Sequence, residues 1–153
     1  MGHNIEIRTG QPGDERALVE FNIAMARETE NKSLSPVMVS AGVRNLLKNP
    51  QHGFYVVAHT GEAVAGTLMV TTEWSDWRNG EFWWIQSVYV RPEFRRRGIY
   101  RALYEFVKTR AVESGRVCGF RLYVARDNVI AQQTYRKMGM EETPYKILEE
   151  LLG

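Results

Sequence analysis

Three consecutive arginines, Arg95, Arg96 and Arg97, stand directly before Gly98, and Ile99, Leu103, Phe106 and Val107 then recur at helical spacing. An apolar run closes at Pro92 just upstream. A strand, a glycine-turned loop and a helix start, in that order, gather backbone N–H groups around one point. The helix dipole favours negative charge there. Guanidinium groups on the same loop add charge-assisted hydrogen bonds to phosphate oxygens. The chemistry this points to is the grip of a phosphorylated small molecule or cofactor. A solvated charge run is the competing reading, and the position between a buried strand and a helix start tells against it. Arg91 and Arg101 bring the count to five arginines in eleven positions, while the whole chain carries only +2. That concentration suits a local anionic ligand better than a long polyanion.

The rest of the composition narrows the classes. The 153 residues fit a single domain, residues 1–153, and are 44% hydrophobic and 25% charged, as in ordinary globular proteins. Cys118 is the sole cysteine, so an intrachain disulfide is excluded. His3, His52 and His59 are scattered without metal-ligand spacing, and no metal is expected. The polar start Met1-Gly2-His3-Asn4 does not read as a signal peptide, and no apolar run approaches the roughly 20 residues of a membrane span. A cytoplasmic enzyme or binding protein is the expectation, with no membrane partner.

The positioning elements follow from periodicity. Ile5 and Ile7 alternate with Glu6 and Arg8 as a first strand. After the turn Gly10–Gly13, Asp14 is placed to cap a helix carrying Leu18, Phe21 and Met25 to about Ala26, and 27–35 reads as a loop. A second helix follows Pro36 and ends near Asn49-Pro50. Strands are expected at 53–58, 63–74 and 82–90, with a hairpin loop at 75–80. The third helix ends at Ser114-Gly115, a strand covers 120–124, a short fourth helix opens at Asp127-Asn128 and runs to about Met138, and 145–150 is a last strand. The order is β-α-α-β-β-β-α-β-α-β, a mixed α/β architecture with a crossover in its second half.

Within that order, Val90-x-Pro92-x-x-Arg95-x-Arg97-Gly98-Ile99 resembles motif A of the GNAT superfamily of acyl-CoA-dependent N-acyltransferases. Tyr100 departs from the pattern, standing where glycine or alanine is usual. Asn128-x-x-Ala131-x-x-x-Tyr135-x-x-x-Gly139-Met140 resembles motif B, and the element order matches over nearly the whole chain. The resemblance implies a central sheet whose strands splay apart to admit acetyl-CoA. It implies cofactor contacts along Val88, Tyr89 and Val90, from the loop Arg95, Arg96, Arg97, Gly98, Ile99, Tyr100 and Arg101, and from Asn128. It also implies a backbone oxyanion donor near Val88, Tyr135 as the acid, direct attack in a ternary complex, and often a homodimer.

Amide formation needs a deprotonated amine, whose free pKa is roughly 10, and a preorganised oxyanion donor. Many relatives carry a carboxylate where this chain has Gln86 and Ser87, so Gln86 is expected to position water or amine. The base is then a water relay to Glu28, Glu30, Glu73, Asp76 or Glu81. The resemblance places the loop after the first helix and the hairpin beside the acceptor. Glu28, Glu30, Trp74, Asp76 and Trp77 there suit a cationic amine by cation–π and ion-pair contact, and Arg78 suits a carboxylate.

The function so implied is N-acetyl transfer from acetyl-CoA to a primary amine, of a small molecule first. A non-catalytic acyl-CoA sensor is the alternative, and a nucleic-acid-binding domain using the arginine loop a weaker one. Bland readings stand beside these: Tyr135 as core packing, Asn128 as a helix cap in competition with Asp127, and Cys118 as a small buried residue.

Overall fold

The computed structural model describes residues 4–61 and 63–153. In it, five strands pair in chain order: β1 (Ile5–Thr9), β2 (Phe54–Thr60), β3 (Ala63–Ser75), β4 (Gly80–Val90) and β5 (Val117–Arg121). The first three junctions are antiparallel hairpin or return pairings, and β4–β5 is parallel. A parallel pair demands a crossover, which helix α3 (Ile99–Ser114) supplies. Helices α1 (Glu15–Glu30) and α2 (Pro36–Lys48) fill the β1–β2 connection, and α4 (Val129–Lys137) follows β5. The chain groups into two compact units, one ending at Leu122 and one beginning at Tyr123. Among the described residues no helix is long and apolar enough to cross a membrane.

The first unit is layered because β2 is apolar on both faces. Tyr55 and Val57 pack against Leu18 of α1 and Val43 of α2. Val56 and Ala58 point the opposite way and are equally inaccessible. Gly66 lies opposite Ala58. A Cβ there would fall 3.2 Å from Ile99, so α3 sits close on that second face. Leu103 and Val107 continue its buried stripe, and each such side chain contributes roughly 1.5–3 kcal/mol. Ser35 caps α2 by accepting the Met38 N–H, with Pro36 at the first helical position.

Three expectations are corrected. Helix α1 continues past Ala26 to Glu30, because no breaker intervenes before Asn31, whose φ of 51° ends the helix. Glu28 and Glu30 therefore lie on its last turn rather than in a loop. Strand β5 occupies Val117–Arg121 rather than 120–124, since α3 ends at Gly115 (φ 69°) and the chain turns straight into the ladder. The 145–150 segment forms no strand, for β-propensity without a ladder partner leaves the backbone groups unpaired.

Asp14 precedes α1 without capping it. Its carboxylate accepts the Arg8 Nη1 and Nη2 groups at 2.7 and 2.9 Å and the Gln11 N–H at 2.7 Å, tying β1 to the turn before the helix. Burial pushes this carboxyl up, but Arg8 and Gln11 outweigh it and hold it below its ordinary value. A lowered carboxyl pKa stabilises the fold above the unfolded value, about 3.9, and that contribution is lost as pH falls through the folded value. Asp14→Asn is expected to cost roughly 2 kcal/mol at pH 7, with the deficit shrinking below about pH 4. Urea titration at several pH values measures both, and an unchanged midpoint at pH 7 would refute the role.

Candidate functional site

The β4–β5 ladder is short. It runs from Glu81↔Val117 to Trp84↔Arg121, where β5 ends, while β4 continues through Ile85–Val90 and, among the described residues of the first unit, pairs there on the β3 side only. The expected splay is therefore present within the first unit. A row of β4 backbone groups faces the vacated side, as at any unpaired strand edge, and can pair with the amides of an extended ligand. On the other side the register slips: Met69 opposes Gln86 while Thr67 opposes Tyr89, so Ser87 and Val88 together face Leu68. This is a β-bulge, and Ser87 takes φ 52° within it. A bulge withdraws backbone groups from the ladder, at the place where a donor near Val88 is expected.

The loop beyond β4 begins with a 3-10 turn at Pro92–Phe94. Arg96 (φ 64°) and Gly98 (φ 76°) then adopt left-handed backbone. No atom lies within 4 Å of where a Gly98 Cβ would stand, so the glycine serves the backbone angle rather than a close approach. The first hydrogen bond of α3 is Ala102 N–H to the Gly98 carbonyl. The N–H groups of Arg96, Arg97, Gly98, Ile99 and Arg101 have no backbone acceptor among the described residues.

The arginines divide. Arg95 Nε donates to the Val90 carbonyl at 2.8 Å and Nη2 to Glu28 Oε2 at 2.8 Å, with its guanidinium over the Tyr89 ring. Glu28 Oε1 accepts the Tyr89 hydroxyl at 3.1 Å. Arg95, Glu28 and Tyr89 thus form a bracket joining the last turn of α1 to the end of β4, although Glu28 had been assigned to the acceptor and the other two to the cofactor. Arg97 lies over Phe94. Arg96 and Arg101 are exposed and carry no ion pair among the described residues. Ile99 is buried and offers only its backbone. The Tyr100 ring stacks along α3 on Tyr104, 6.1 Å between centroids and 15° between planes.

On the neighbouring strands, Glu73 accepts Trp84 Nε1 at 2.7 Å and Arg121 Nη1 at 3.1 Å, and the Arg121 guanidinium lies 3.6 Å from the centre of the Phe82 ring. Gln86 is partly buried on β4. Trp74 and Trp77 are 61% and 87% exposed, and both stand with Asp76 at the β3–β4 hairpin. Glu30 pairs with Lys32. Sequence reasoning missed the bulge at Ser87 and the role of Arg121. The first had a signal, two successive polar residues in an otherwise apolar strand.

The second unit carries the other candidates. Asn128 caps α4, its Oδ1 accepting the Ala131 N–H at 3.2 Å, so the capping role falls to Asn128 rather than Asp127. Gln132 closes the preceding turn on the carbonyls of Ala125 and Arg126. Tyr135 is two turns further on the same face as Asn128. Burial raises its hydroxyl above the ordinary phenol value, and like any phenol it is protonated at neutral pH.

The acetyltransferase (GNAT) family pattern matches residues 17–140. A thialysine N-epsilon-acetyltransferase from Caenorhabditis elegans is 31% identical over 113 residues, covering 73% of this chain and 68% of that protein. A crystal structure described as a possible acetyltransferase from Clostridium difficile 630 is 40% identical and superposes with a TM-score of 0.91, covering 97% of each chain. AAC(6')-Iy, in complex with the bisubstrate analogue CoA-S-monomethyl-acetylneamine, shares the fold at 16% identity with a TM-score of 0.76, covering 98% of this chain and 99% of its own.

The bracket yields a direct test. Arg95→Ala removes the Val90 carbonyl contact and the Glu28 ion pair together. Amide hydrogen exchange across 92–101 should then quicken several-fold while exchange in β2 and β3 stays as it was. Unaltered exchange in the loop would show that the bracket does not order it.

Proposed function

The chain belongs to the acetyltransferase (GNAT) family, and from that premise we propose that it transfers an acetyl group from acetyl-CoA to the primary amine of a small molecule by direct attack in a ternary complex. The observation that carries the proposal is the β4 edge at Ile85–Val90, without a β5 partner within the first unit, continued by a loop in which the N–H groups of Arg96, Arg97, Gly98, Ile99 and Arg101 have no backbone acceptor among the described residues. The donor set fits the cosubstrate. An extended pantetheine arm has amides for the β4 edge at Val88 and Val90. The loop N–H groups from Arg96 to Arg101, at a helix start, suit a diphosphate, with the side chains of Arg96 and Arg101 for added charge. Asn128 spends Oδ1 on its cap and retains its amide N–H groups for the pantetheine arm.

Acetyl-CoA supplies a thioester carbonyl open to attack by an amine. The chain's own residues supply the rest. The bulge at Ser87–Val88 presents a fixed backbone donor to the developing oxyanion. Tyr135, whose phenol is protonated at neutral pH, donates to the leaving sulfur. Gln86 positions the amine or a water. Of the five carboxylates near the expected acceptor side, Glu28 is held by Arg95 and Tyr89, Glu30 by Lys32, Glu73 by Arg121 and Trp84, and Glu81 by Trp83 and Arg116. Asp76 alone has no hydrogen bond or ion pair among the described residues, so the water relay is assigned to it. Beside exposed Trp74 and Trp77 it also suits an alkylammonium. The C. elegans relative takes its name from a lysine-like amino acid, and an amino-acid-like acceptor with a terminal amine is the reading favoured for this chain.

The assay is thiol release from acetyl-CoA across a panel of terminal amines that includes lysine analogues. Tyr135→Phe should lower kcat by about 100-fold with acetyl-CoA affinity unchanged. Asp76→Ala should raise the amine KM. Full turnover in Tyr135→Phe would remove its acid role. Tight acetyl-CoA binding without thiol release on any amine would favour the sensor reading, which the lack of a carboxylate at Gln86 and Ser87 supports.

A further inference from the structure

The start of β4, remote from the arginine–glycine loop, gathers a second pair of guanidinium groups. Arg121 lies 3.6 Å from the centre of the Phe82 ring, and Arg78 lies 5.2 Å from the same centre. The β3–β4 hairpin sets Arg78 there. Its N–H donates to Ser75 Oγ at 3.3 Å, and Asn79 takes φ 50° to turn the chain back into the strand. Two like charges brought to one buried ring repel each other unless anions neutralise them. Arg121 has its anion: both oxygens of Glu73 accept from Nη1, at 3.1 and 3.2 Å. Arg78 makes no ion pair among the described residues. The cluster of Arg78, Arg121 and Glu73 thus carries one positive charge without a counterpart.

This cluster shares a face with Gln86. Side chains alternate along β4, so Phe82, Trp84 and Gln86 point the same way. Gln86 opposes Met69, and Met69 opposes Tyr55, which packs against Leu18 and Val43 of α1 and α2. Arg121 opposes Trp84, two residues short of Gln86 and so about 7 Å away along the strand. An extended lysine-like acceptor covers about the same 7 Å between its terminal nitrogen and its carboxylate.

We propose that Arg78, with Nη2 of Arg121, forms a subsite for the carboxylate of the acceptor. The subsite selects free amino acids bearing a terminal amine over diamines and over lysine within a peptide. This rests on the acetyl-transfer reading and deepens it. Guanidinium recognises carboxylate through paired N–H donors, and its planar form stacks on an aromatic ring while doing so. Nη2 of Arg121 makes no hydrogen bond among the described residues, Nη1 being the group engaged by Glu73. A diamine would bring a second ammonium to the unmatched charge and be repelled. Lysine in a peptide presents a neutral amide there. Selection therefore comes from rejecting the wrong acceptor as well as from holding the right one.

Initial rates are measured with lysine, ornithine, the carboxamide of each, and cadaverine. Calorimetry follows binding of the same compounds to the CoA-loaded protein. For the preferred amino acid, KM should be about 10-fold below that of its carboxamide, with cadaverine poorer still. In Arg78→Ala the amino acid's KM should rise to meet its carboxamide's, while KM for acetyl-CoA stays as it was. Arg78→Lys should recover part of the gap. Arg78 is exposed, so circular dichroism should be unchanged in both variants. Equal KM for amino acid and carboxamide, or a preference that survives Arg78→Ala, would sink the subsite and leave acetyl transfer standing. Carboxylate-dependent binding that Arg78→Ala abolishes, with no thiol release on any amine, would uphold the subsite and sink acetyl transfer. An absence of both turnover and carboxylate-dependent binding would overturn the two together.

Discussion

Backbone N–H and C=O groups seek partners, and along Ile85–Val90 β4 no longer has β5 to pair with, only the Val90 carbonyl being taken up by Arg95 among the described contacts. The point of departure is fixed by side chains. Gly119 sits so close to Phe82 that a Cβ would fall 2.8 Å from its ring, which holds β5 hard against β4. Two residues on, Arg121 lies over the same ring and pairs with Glu73, which in turn accepts from Trp84. Strands β3, β4 and β5 are locked together there by cation–π contact, ion pair and hydrogen bond. The β4–β5 pairing ends at this lock, so the point where β4 loses its parallel partner traces back to Arg121.

The opposite side of β4 carries a matching irregularity. Ser87 holds a left-handed backbone angle that costs a non-glycine residue roughly 1–2 kcal/mol, sustained by the long β3–β4 pairing on either side. Phe21, Tyr89, Glu28 and Arg95 fix the end of the strand from the α1 side. One strand therefore presents a kink, an open edge and an anchored end in sequence. A shallow depression of about 230 Å³ lined by Tyr89 and Arg91 is smaller than ligand pockets generally are.

Much of this was legible in the residues. Periodicity located every helix and placed four of the five strands closely; α1, α2 and α3 were legible because each commits one face to a core, where Leu18, Val43 and Leu103 are fully or nearly fully buried. The arginine–glycine loop was legible because Gly98 needs its positive φ. What escaped was non-local. Glu28 looked like a free acid because its partner lies 67 residues away in sequence. The extent of α1 escaped because Arg27–Glu30 are polar on every face, and polarity alone does not separate a solvated helix turn from a loop. The failure at 145–150 has a different cause: its pattern specifies a strand, but a strand exists only where a ladder receives it.

The division of labour in the loop bears on how such a protein can change over generations. Arg95 and Arg97 turn their charge onto the protein itself, so the capacity to hold an anion there resides in main-chain N–H groups. Those groups survive every substitution except proline. Side chains at these positions can therefore drift while the grip persists, whereas the φ of 76° at Gly98 is strained for most residues other than glycine. The conspicuous string of arginines is a poorer mark of ancestry than the inconspicuous glycine that follows it.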